Sequence, residues 1–303
     1  MAMPKLLVVA PEEMRLSLES GLAPLEAELY FAVRAEPGRV PSDPFGLQNE
    51  LSRRPPGFDG ALLIAPRRHA PGRLVPSLLV AGVPVGIVQA DRPSQLQPWL
   101  QAVQVTQQAP QQPLRASMAM GKDFYLEWGD RLLGWMRAGG GEIGASAEDW
   151  TAVRLSRTDL CRSLARGPDL AIYCGHARAR GWSGYQGVRW EHVMEEEQQR
   201  PCRLLITLGC HTLSRTRGVV PFGCQWINSG RASAYLAPAG ALKVSAGEQI
   251  ARILGEHLAS LQCRSAGELL IAMDKHLSSE PQLAEAYGQF LAFRLIGNPF
   301  QRF

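Results

Sequence analysis

Short apolar runs separated by helical segments limit the possible folds of this 303-residue chain more than any other feature of its sequence. Runs of this length are typical of strands that are buried on both faces of a sheet. In the first third they are "KLLVVAP" (5–11), "AELYFAVRAE" (27–36), "GALLIAP" (60–66) and "VPVGIVQAD" (83–91). The segments "EMRLSLESGL" (13–22) and "PFGLQNELSRR" (44–54) have helical patterns. Strands that alternate with helices predict an α/β fold with mostly parallel sheets flanked by helices.

The second part of the chain repeats this alternation. Its predicted strands are "LAIYC" (170–174), "RLLITLG" (203–209) and "ASAYLAP" (232–238). Its predicted helices lie in 122–141, 156–169 and about 281–293, and two more begin at the capping boxes Ser245/Glu248 and Ser265/Glu268. The second part is therefore also an α/β unit.

The composition changes between these two parts. The segment "QAVQVTQQAPQQPLRAS" (101–117) is rich in glutamine, contains two prolines and has no acidic residue. Such a composition is typical of a linker or of a crossover on the surface. The sequence therefore predicts a smaller α/β N-terminal lobe at 1–100, a linker or crossover at 101–117 and a larger lobe at 118–303.

Charge and composition argue against several classes of function. The net charge is only +4 and no run of lysine or arginine occurs, so no nucleic-acid partner is indicated. No glycine-rich phosphate-binding motif follows a predicted strand, and we expect no cofactor. No stretch of about 18 apolar residues is present, so we expect no membrane partner. Six cysteines without an export signal predict reduced thiols and a cytoplasmic location.

Two of the predicted strands end in a glycine followed by a residue that can act as a nucleophile or a base. His176 follows Gly175, and Cys210 follows Gly209. Reactive groups in open parallel sheets gather beyond the carboxyl ends of the strands. If the two strands are neighbours, the thiol and the imidazole come within hydrogen-bond reach, which is the geometry of a Cys–His dyad.

Four segments of the second part resemble the caspase-like cysteine peptidases, especially the gingipain and CHAT-domain branches. "AIYCGHARARGW" resembles the histidine motif of that group, and "LLITLGCHT" resembles its cysteine motif. "CQWINSGRASAYLAP" is similar to the segment in which a helix leads into a strand beside the substrate pocket. The end of the chain, "FRLIGNPFQ", resembles the "LxGDP" ending, with Asn298 in place of the aspartate. The resemblance covers about 114–303 and implies a caspase-like lobe.

The resemblance implies a cysteine endopeptidase that cleaves a protein or peptide through a thioester acyl-enzyme. Cys210 would be the nucleophile, and His176 would be the general base and then the acid. Three residues would shape the oxyanion loop: Gly175, Ala177 and Gly209, with Ala177 at a position where the family usually has glycine. The implied pocket residues are Trp182, His211, Trp226 and Arg231, although a surface loop position is the simpler interpretation of His211.

The resemblance also bears on what such a peptidase would bind. In this group, charged pocket residues select the substrate side chain, and several arginines stand near the two motifs: Arg178, Arg180, Arg215, Arg217 and Arg231. They favour an acidic or uncharged side chain at the cleavage site over a basic one. A protein partner from the same pathway is a further expectation. Asp169 and Glu191 are candidates for orienting His176, although a dyad needs no third member.

Two alternatives stay open at this point. The cysteines and histidines at 174, 176, 210, 211 and 224 could hold zinc, but their spacing does not match that of zinc fingers, and we predict no metal site. The fold could also serve as an inactive binding or scaffold protein, since caspase-like folds include members without activity.

Overall fold

The computed structural model describes residues 3–34, 57–75, 77–109, 114–138, 146–216, 218–260 and 263–303. The helix predicted at 44–54 lies outside these residues. The strands are β1 (Lys5–Pro11), β2 (Glu28–Arg34), β3 (Gly60–Ala65), β4 (Leu79–Val80), β5 (Val83–Gln89), β6 (Arg115–Ala119), β7 (Ala147–Asp149), β8 (Leu170–Cys174), β9 (Ala177–Arg178), β10 (Gly181–Trp182), β11 (Val188–Arg189), β12 (Cys202–Leu208), β13 (Ala232–Pro238) and β14 (Phe293–Gly297). The helices are α1 (Arg15–Leu22), α2 (Gln97–Gln108), α3 (Asp123–Ala138), α4 (Arg157–Ala165), α5 (Trp190–Met194), α6 (Phe222–Asn228), α7 (Val244–Ala259), α8 (Ala266–Ser279) and α9 (Ala284–Phe290).

Within the described residues, 11 of the strands form one sheet. Its order is β2–β1–β3–β5–β14–β13–β12–β8–β6–β7, and β4 pairs with β5 beside this path. Most neighbours are parallel, whereas β14 runs antiparallel to β13 and parallel to β5. The last strand of the chain thus lies between the strands of the first third and those of the second part. The predicted α/β class is confirmed.

Helices cover both faces of this sheet, as a buried parallel sheet requires. We call the side covered by α2, α4, α5 and α6 the first face, and the side covered by α3, α7, α8 and α9 the second face. Along β8, Ala171 and Tyr173 belong to the core of the first face, whereas Ile172 and Cys174 belong to the core of the second. None of the helices in the described part of the chain combines the length and the apolar character needed to cross a membrane.

The long apolar runs form strands close to the predicted bounds, whereas the shorter elements are not predicted from the sequence. The sequence predicts a terminal motif and no strand at β14, because only two residues lie between the end of the last helix and its five residues. The strands β9, β10 and β11 have two residues each and form a separate antiparallel sheet. Elements of this length carry no detectable periodicity.

One of the two predicted capping boxes is confirmed and the other is wrong. Ser265 accepts a hydrogen bond from the Glu268 N–H at the start of α8, and Glu268 binds the backbone of the cap in return. Helix α7 instead begins after Lys243, so Ser245 lies inside its first turn. The Ser245 hydroxyl donates to Glu285 on α9, at 3.1 Å.

The first half of the segment predicted as a linker or crossover, 101–117, is helical. Helix α2 buries Trp99, Leu100 and Val103, and the Trp99 indole donates a hydrogen bond to the Ser233 carbonyl at 3.0 Å. Glutamine is a good helix former, so the glutamine-rich composition is compatible with this helix. The division into lobes at 1–100 and 118–303 stays a prediction.

A buried ionic cluster lies at the amino end of β8. Asp169 contacts Arg203 at 2.8 Å and Arg200 at 3.1 Å, and the side chains of Asp169 and Arg203 are 3% and 4% exposed. Burial raises the pKa of Asp169, and the two arginines oppose that rise. The carboxylate therefore offsets much of the cost of burying the two guanidinium groups.

Asp169→Asn should lower the free energy of unfolding by about 3 kcal/mol, because the buried guanidinium groups lose the charge that offsets their desolvation. The measurement is urea denaturation followed by circular dichroism. The matched control is Asp159→Asn, since Asp159 is exposed and lies 3.8 Å from Arg162. The control should change stability by less than about 1 kcal/mol. Equal losses in the two variants would contradict the stabilising role of the buried cluster.

Candidate active site

The paired strands β8 and β12 bring His176 and Cys210 to the same edge of the sheet. The strands are parallel neighbours whose register aligns Cys174 with Leu208, so the two functional residues each lie two positions beyond an aligned pair. The Gly175 N–H donates to the Leu208 carbonyl at 3.2 Å, which extends the pairing past the strand end. Neighbouring strands lie about 4.8 Å apart, so the backbones of the two loops are adjacent.

Both side chains lie on the second face. Cys174 and Leu208 belong to the core of that face, and side chains two positions apart in extended chain point to the same side. The contacts agree with this, because His176 touches α3 and Cys210 touches the segment before α7. His176 is exposed and Cys210 is half-buried. A substrate can therefore reach both groups.

A tyrosine holds the ring of His176 on one side. The Tyr125 hydroxyl, from the first turn of α3, lies 3.3 Å from His176 Nδ1, and the two rings meet edge to face at 5.2 Å. Burial, with a smaller effect from the charge of Cys210, raises the pKa of Tyr125 to about 12. The phenol is therefore neutral, and its contact with Nδ1 leaves Nε2 as the ring nitrogen available to another group.

Two hydrogen bonds to its carbonyl fix the backbone of His176. Its carbonyl accepts hydrogen bonds from the Tyr173 hydroxyl at 2.9 Å and from the Ser183 N–H at 2.8 Å. The Tyr173 ring stacks on Trp182, with centroids 4.7 Å apart. The Trp182 indole in turn donates to Thr207 on β12 at 3.1 Å. The histidine loop is thus tied to the strand that leads to Cys210.

The sulfur of Cys210 lies against the backbone of Leu242. The Leu242 N–H donates to Sγ at 3.3 Å, and Sγ lies 3.7 Å from the Leu242 carbonyl. A thiol can donate to the carbonyl, whereas a thiolate can accept from the N–H. The Leu242 backbone can therefore bind this side chain in either form.

The other cysteines have surroundings that disfavour ionisation. All six are free thiols, and Cys161, Cys174, Cys202 and Cys224 are buried. Burial raises the pKa of Cys161 to about 11 and that of Cys224 to about 12. Cys263 is half-buried, and burial raises its pKa as well. Within the described residues, no group of three or more His, Cys, Asp or Glu side chains is arranged to hold a metal ion.

The two loops approach closely because both have glycine at the point of contact. A Cβ on Gly209 would lie 2.5 Å from the Gly175 carbonyl oxygen and 3.0 Å from the Ala177 Cβ. Any side chain at 209 would therefore push the cysteine loop away from the histidine loop. The glycine before Cys210 is required by this approach rather than by an unusual φ angle.

The predicted oxyanion loop is only partly available to a substrate. The Gly175 N–H is used by Leu208, so it is not free to bind an oxyanion. Ala177 lies in β9, and it is not among the residues with positive φ. An alanine is therefore compatible with this backbone, in spite of the glycine that the resemblance leads one to expect. His211 has a φ of 63°, which turns the chain sharply after Cys210.

The structure does not bring the predicted pocket residues together. Trp182 and Trp226 are fully buried in the core of the first face. Arg231 precedes β13, at the edge of the sheet opposite to Cys210, and binds Gln198 and the Glu196 carbonyl. The expectation that these three line a pocket beside Cys210 is wrong, because two belong to the core and the third lies at the amino end of its strand. His211 is next to Cys210 and contacts the Ser214 hydroxyl at 3.0 Å.

The residue beside the His176 ring is not one of the two candidates from the sequence, Asp169 and Glu191. Asp169 lies at the amino end of β8, roughly 20 Å from His176 along extended chain. Glu191 is exposed on α5 and lines a cavity with Arg180 and Arg189. The group beside His176 Nδ1 is Tyr125. Sequence reasoning missed Tyr125 and Leu242, because α3 looked like an ordinary amphipathic helix and the Leu242 contact is made by backbone.

Comparison with known proteins bears on the family and the fold of the chain. The model of Peptidase family C25 matches residues 101–303. Among solved structures, the Arg-specific cysteine proteinase gingipain R (RgpB) superposes with a TM-score of 0.76 at 10% identity, over 99% of this chain and 78% of that one. The complex of Porphyromonas gingivalis RgpB pro- and mature domains gives 0.72 at 11% identity, over 98% and 79%. No curated protein matches the sequence significantly.

A more distant likeness extends to a larger protein. The Saccharomyces cerevisiae separase, solved in complex with securin, superposes with a TM-score of 0.54 at 14% identity, over 81% of this chain and 16% of that one. The fold that these structures share and the family match together define a caspase-like cysteine peptidase. The chain belongs to Peptidase family C25.

Gly209→Ala should lower peptidase activity about 100-fold, because its Cβ would separate the two loops by a fraction of an ångström to an ångström. Gly240→Ala is the matched control. Gly240 lies in the adjoining loop, its carbonyl accepts from the His211 N–H, and a Cβ there would meet no atom within 4 Å. The control should retain activity. Similar activity in the two variants, with both folded by circular dichroism, would contradict the importance of the close approach.

Proposed function

We propose that the chain is an endopeptidase that cleaves a protein substrate through a dyad of Cys210 and His176. The observation that carries this proposal is the register of β8 and β12, in which Cys174 is aligned with Leu208, so that the loops with Cys210 and His176 leave the sheet at the same edge. Membership of Peptidase family C25 supplies the reaction class. The Leu242 N–H at the sulfur and Tyr125 at Nδ1 support the same roles.

The reaction begins with a proton transfer from Cys210 to His176 Nε2. The thiolate attacks the carbonyl carbon of the scissile bond, and the carbonyl oxygen becomes an oxyanion. Collapse of this intermediate breaks the C–N bond while His176 donates its proton to the leaving amine. A thioester to Cys210 remains. Water then loses a proton to His176 and attacks the thioester, which releases the second product as a carboxylic acid and returns the thiolate.

The oxyanion requires N–H donors placed in advance. The Gly175 N–H is bound to Leu208, and the N–H groups of Cys210 and Ala177 lie on the loops that follow β12 and β8. We assign the oxyanion hole to these two amides, and Gly209 contributes by letting the loops approach.

Tyr125 is proposed as the residue that positions His176. If Nδ1–H donates to the phenol oxygen, the imidazole is held in the tautomer whose Nε2 can accept the thiol proton. The same hydrogen bond stabilises the imidazolium that forms afterwards. A neutral hydroxyl does this without placing a negative charge beside the thiolate.

Several finer points remain predictions for this chain. They are the cytoplasmic location, a pathway-specific protein partner and the division of the chain into lobes at 1–100 and 118–303. The inactive scaffold is the competing function, and it predicts an unreactive Cys210.

At pH 7, Cys210 should react with iodoacetamide about tenfold faster than Cys263, and His176→Ala should remove this difference. Cys263 is the internal control, because it is the other cysteine that is not fully buried. The measurement is mass spectrometry of tryptic peptides over a time course. Equal labelling of the two cysteines, or labelling of Cys210 that does not depend on His176, would contradict the dyad and favour the scaffold.

Tyr125→Phe should lower kcat about tenfold, which corresponds to one lost hydrogen bond to a charged group. KM should stay unchanged, because Tyr125 contacts His176 and not the substrate. Tyr30→Phe is the control, since Tyr30 binds Glu28 at the surface of β2. A rise in KM without a loss in kcat would contradict the positioning role of Tyr125.

A further inference from the structure

The carboxyl edge of the sheet carries a concentration of arginines. Three adjoining cavities of about 590, 580 and 590 Å³ lie along it, formed by the loops after β3, β8 and β12. Together they are lined by Arg67, Arg68, Arg73, Arg178, Arg180, Arg189 and Arg215. Among the described residues that line them, Glu191 is the one carboxylate. The edge therefore has a strong excess of positive charge.

The second of these cavities is a trough with a defined floor and walls. In the small sheet β9–β10–β11, Arg178 and Arg189 are both aligned with Gly181 on the strand between them. Residues directly opposite each other in antiparallel strands point to the same face. Two arginines thus flank a position that has no side chain, and we call this feature the arginine trough.

Gly181 keeps the floor of the trough open. Its φ is +147°, and a Cβ there would collide with the Val188 carbonyl. A side chain is therefore excluded between the two guanidinium groups. The concave shape follows from the backbone and does not depend on the rotamers of the arginines.

One wall residue of the trough, Arg178, follows His176 by two positions in the chain. Along this segment His176 and Arg178 are exposed, whereas Ala177 between them is buried, as expected for an extended chain. Two residues of extended chain span about 7 Å. A peptide whose scissile carbonyl lies between His176 and Cys210 therefore places a side chain near the cleavage site within reach of Arg178.

The arginines of the trough are available to a ligand. No ion pair between described residues includes Arg178, Arg180 or Arg189, whereas arginines elsewhere, such as Arg166 and Arg200, are paired with carboxylates. In the neighbouring cavity, the Nε of Arg67 is buried without a hydrogen-bond partner. Uncompensated guanidinium groups around a concave surface favour an anionic ligand.

We propose that the arginine trough binds the carboxylate of an aspartate or glutamate of the substrate, within a few residues of the scissile bond. The proposal rests on the dyad as the site of cleavage, and it makes the substrate an acidic segment of a protein. Guanidinium groups bind carboxylates through two parallel hydrogen bonds, and a pair on opposite walls can hold one carboxylate from both sides. A nucleic acid fits less well, since the dyad on which the proposal rests acts on peptide bonds.

Binding can be tested without turnover in the full-chain Cys210→Ala variant. The probes are fluorescein-labelled octapeptide libraries with Asp or Glu fixed at each position in turn, and matched Asn or Gln libraries. We expect an acidic library to bind about tenfold more tightly, with a difference that shrinks at high salt. Arg178→Gln combined with Arg189→Gln should abolish the difference, and Arg252→Gln, on the distant helix α7, should retain it. Equal affinities for acidic and amide libraries, or tighter binding of single-stranded DNA, would overturn the proposal.

Covalent labelling of Cys210 distinguishes a failure of this proposal from a failure of the dyad. Wild-type protein is treated with iodoacetamide and with peptide acyloxymethyl ketones that carry Asp or Asn at each position before the ketone in turn. A faster reaction of the Asp reagent at Cys210, reversed in favour of a Lys reagent by Arg178→Glu, supports the trough. Similar rates for Asp and Asn reagents, with His176-dependent labelling by iodoacetamide, would overturn the trough and leave the dyad intact. Absence of reaction at Cys210 with all reagents would overturn both.

Discussion

The parallel pairing of β8 with β12 is the interaction on which the site depends. It aligns Cys174 with Leu208, and the Gly175 N–H continues the alignment one step past the strand ends. His176 and Cys210 come from loops that are 34 positions apart in the chain, yet the register leaves little freedom in their separation. A slip of the register by one residue would turn one of the two side chains to the other face of the sheet.

The two faces of the sheet hold His176 and Cys210 in place through different contacts. On the second face, α3 supplies Tyr125 at Nδ1 and the segment before α7 supplies the Leu242 backbone at the sulfur. On the first face, Tyr173 stacks on Trp182 and fixes the carbonyl of His176. The tryptophan that follows the histidine motif therefore acts as an anchor for the loop and not as a wall of the substrate pocket. The surface offered to a substrate is instead the arginine trough on the small sheet.

The sequence predicted the parts that depend on long apolar runs and on residues at strand ends. The strand that ends before His176 and the one that ends before Cys210 are strongly apolar, and glycine follows each of them. The pocket residues Trp226 and Arg231 could not be placed, because a motif does not reveal which end of the next strand a residue occupies. Tyr125 was missed since its contact with His176 joins residues 51 positions apart. The trough depends on cross-strand pairs between two-residue strands, which leave no pattern in the sequence.

The central claim is that Cys210 and His176 act together on a peptide carbonyl. A crystal structure of the protein with a peptide aldehyde tests it most directly. The account predicts a covalent thiohemiacetal at Cys210 Sγ, with His176 Nε2 within hydrogen-bond distance of the adduct. The adduct oxygen should face the amides of Cys210 and Ala177. An aldehyde bound to another residue, or an adduct at Cys210 with His176 turned away from it, would contradict the account.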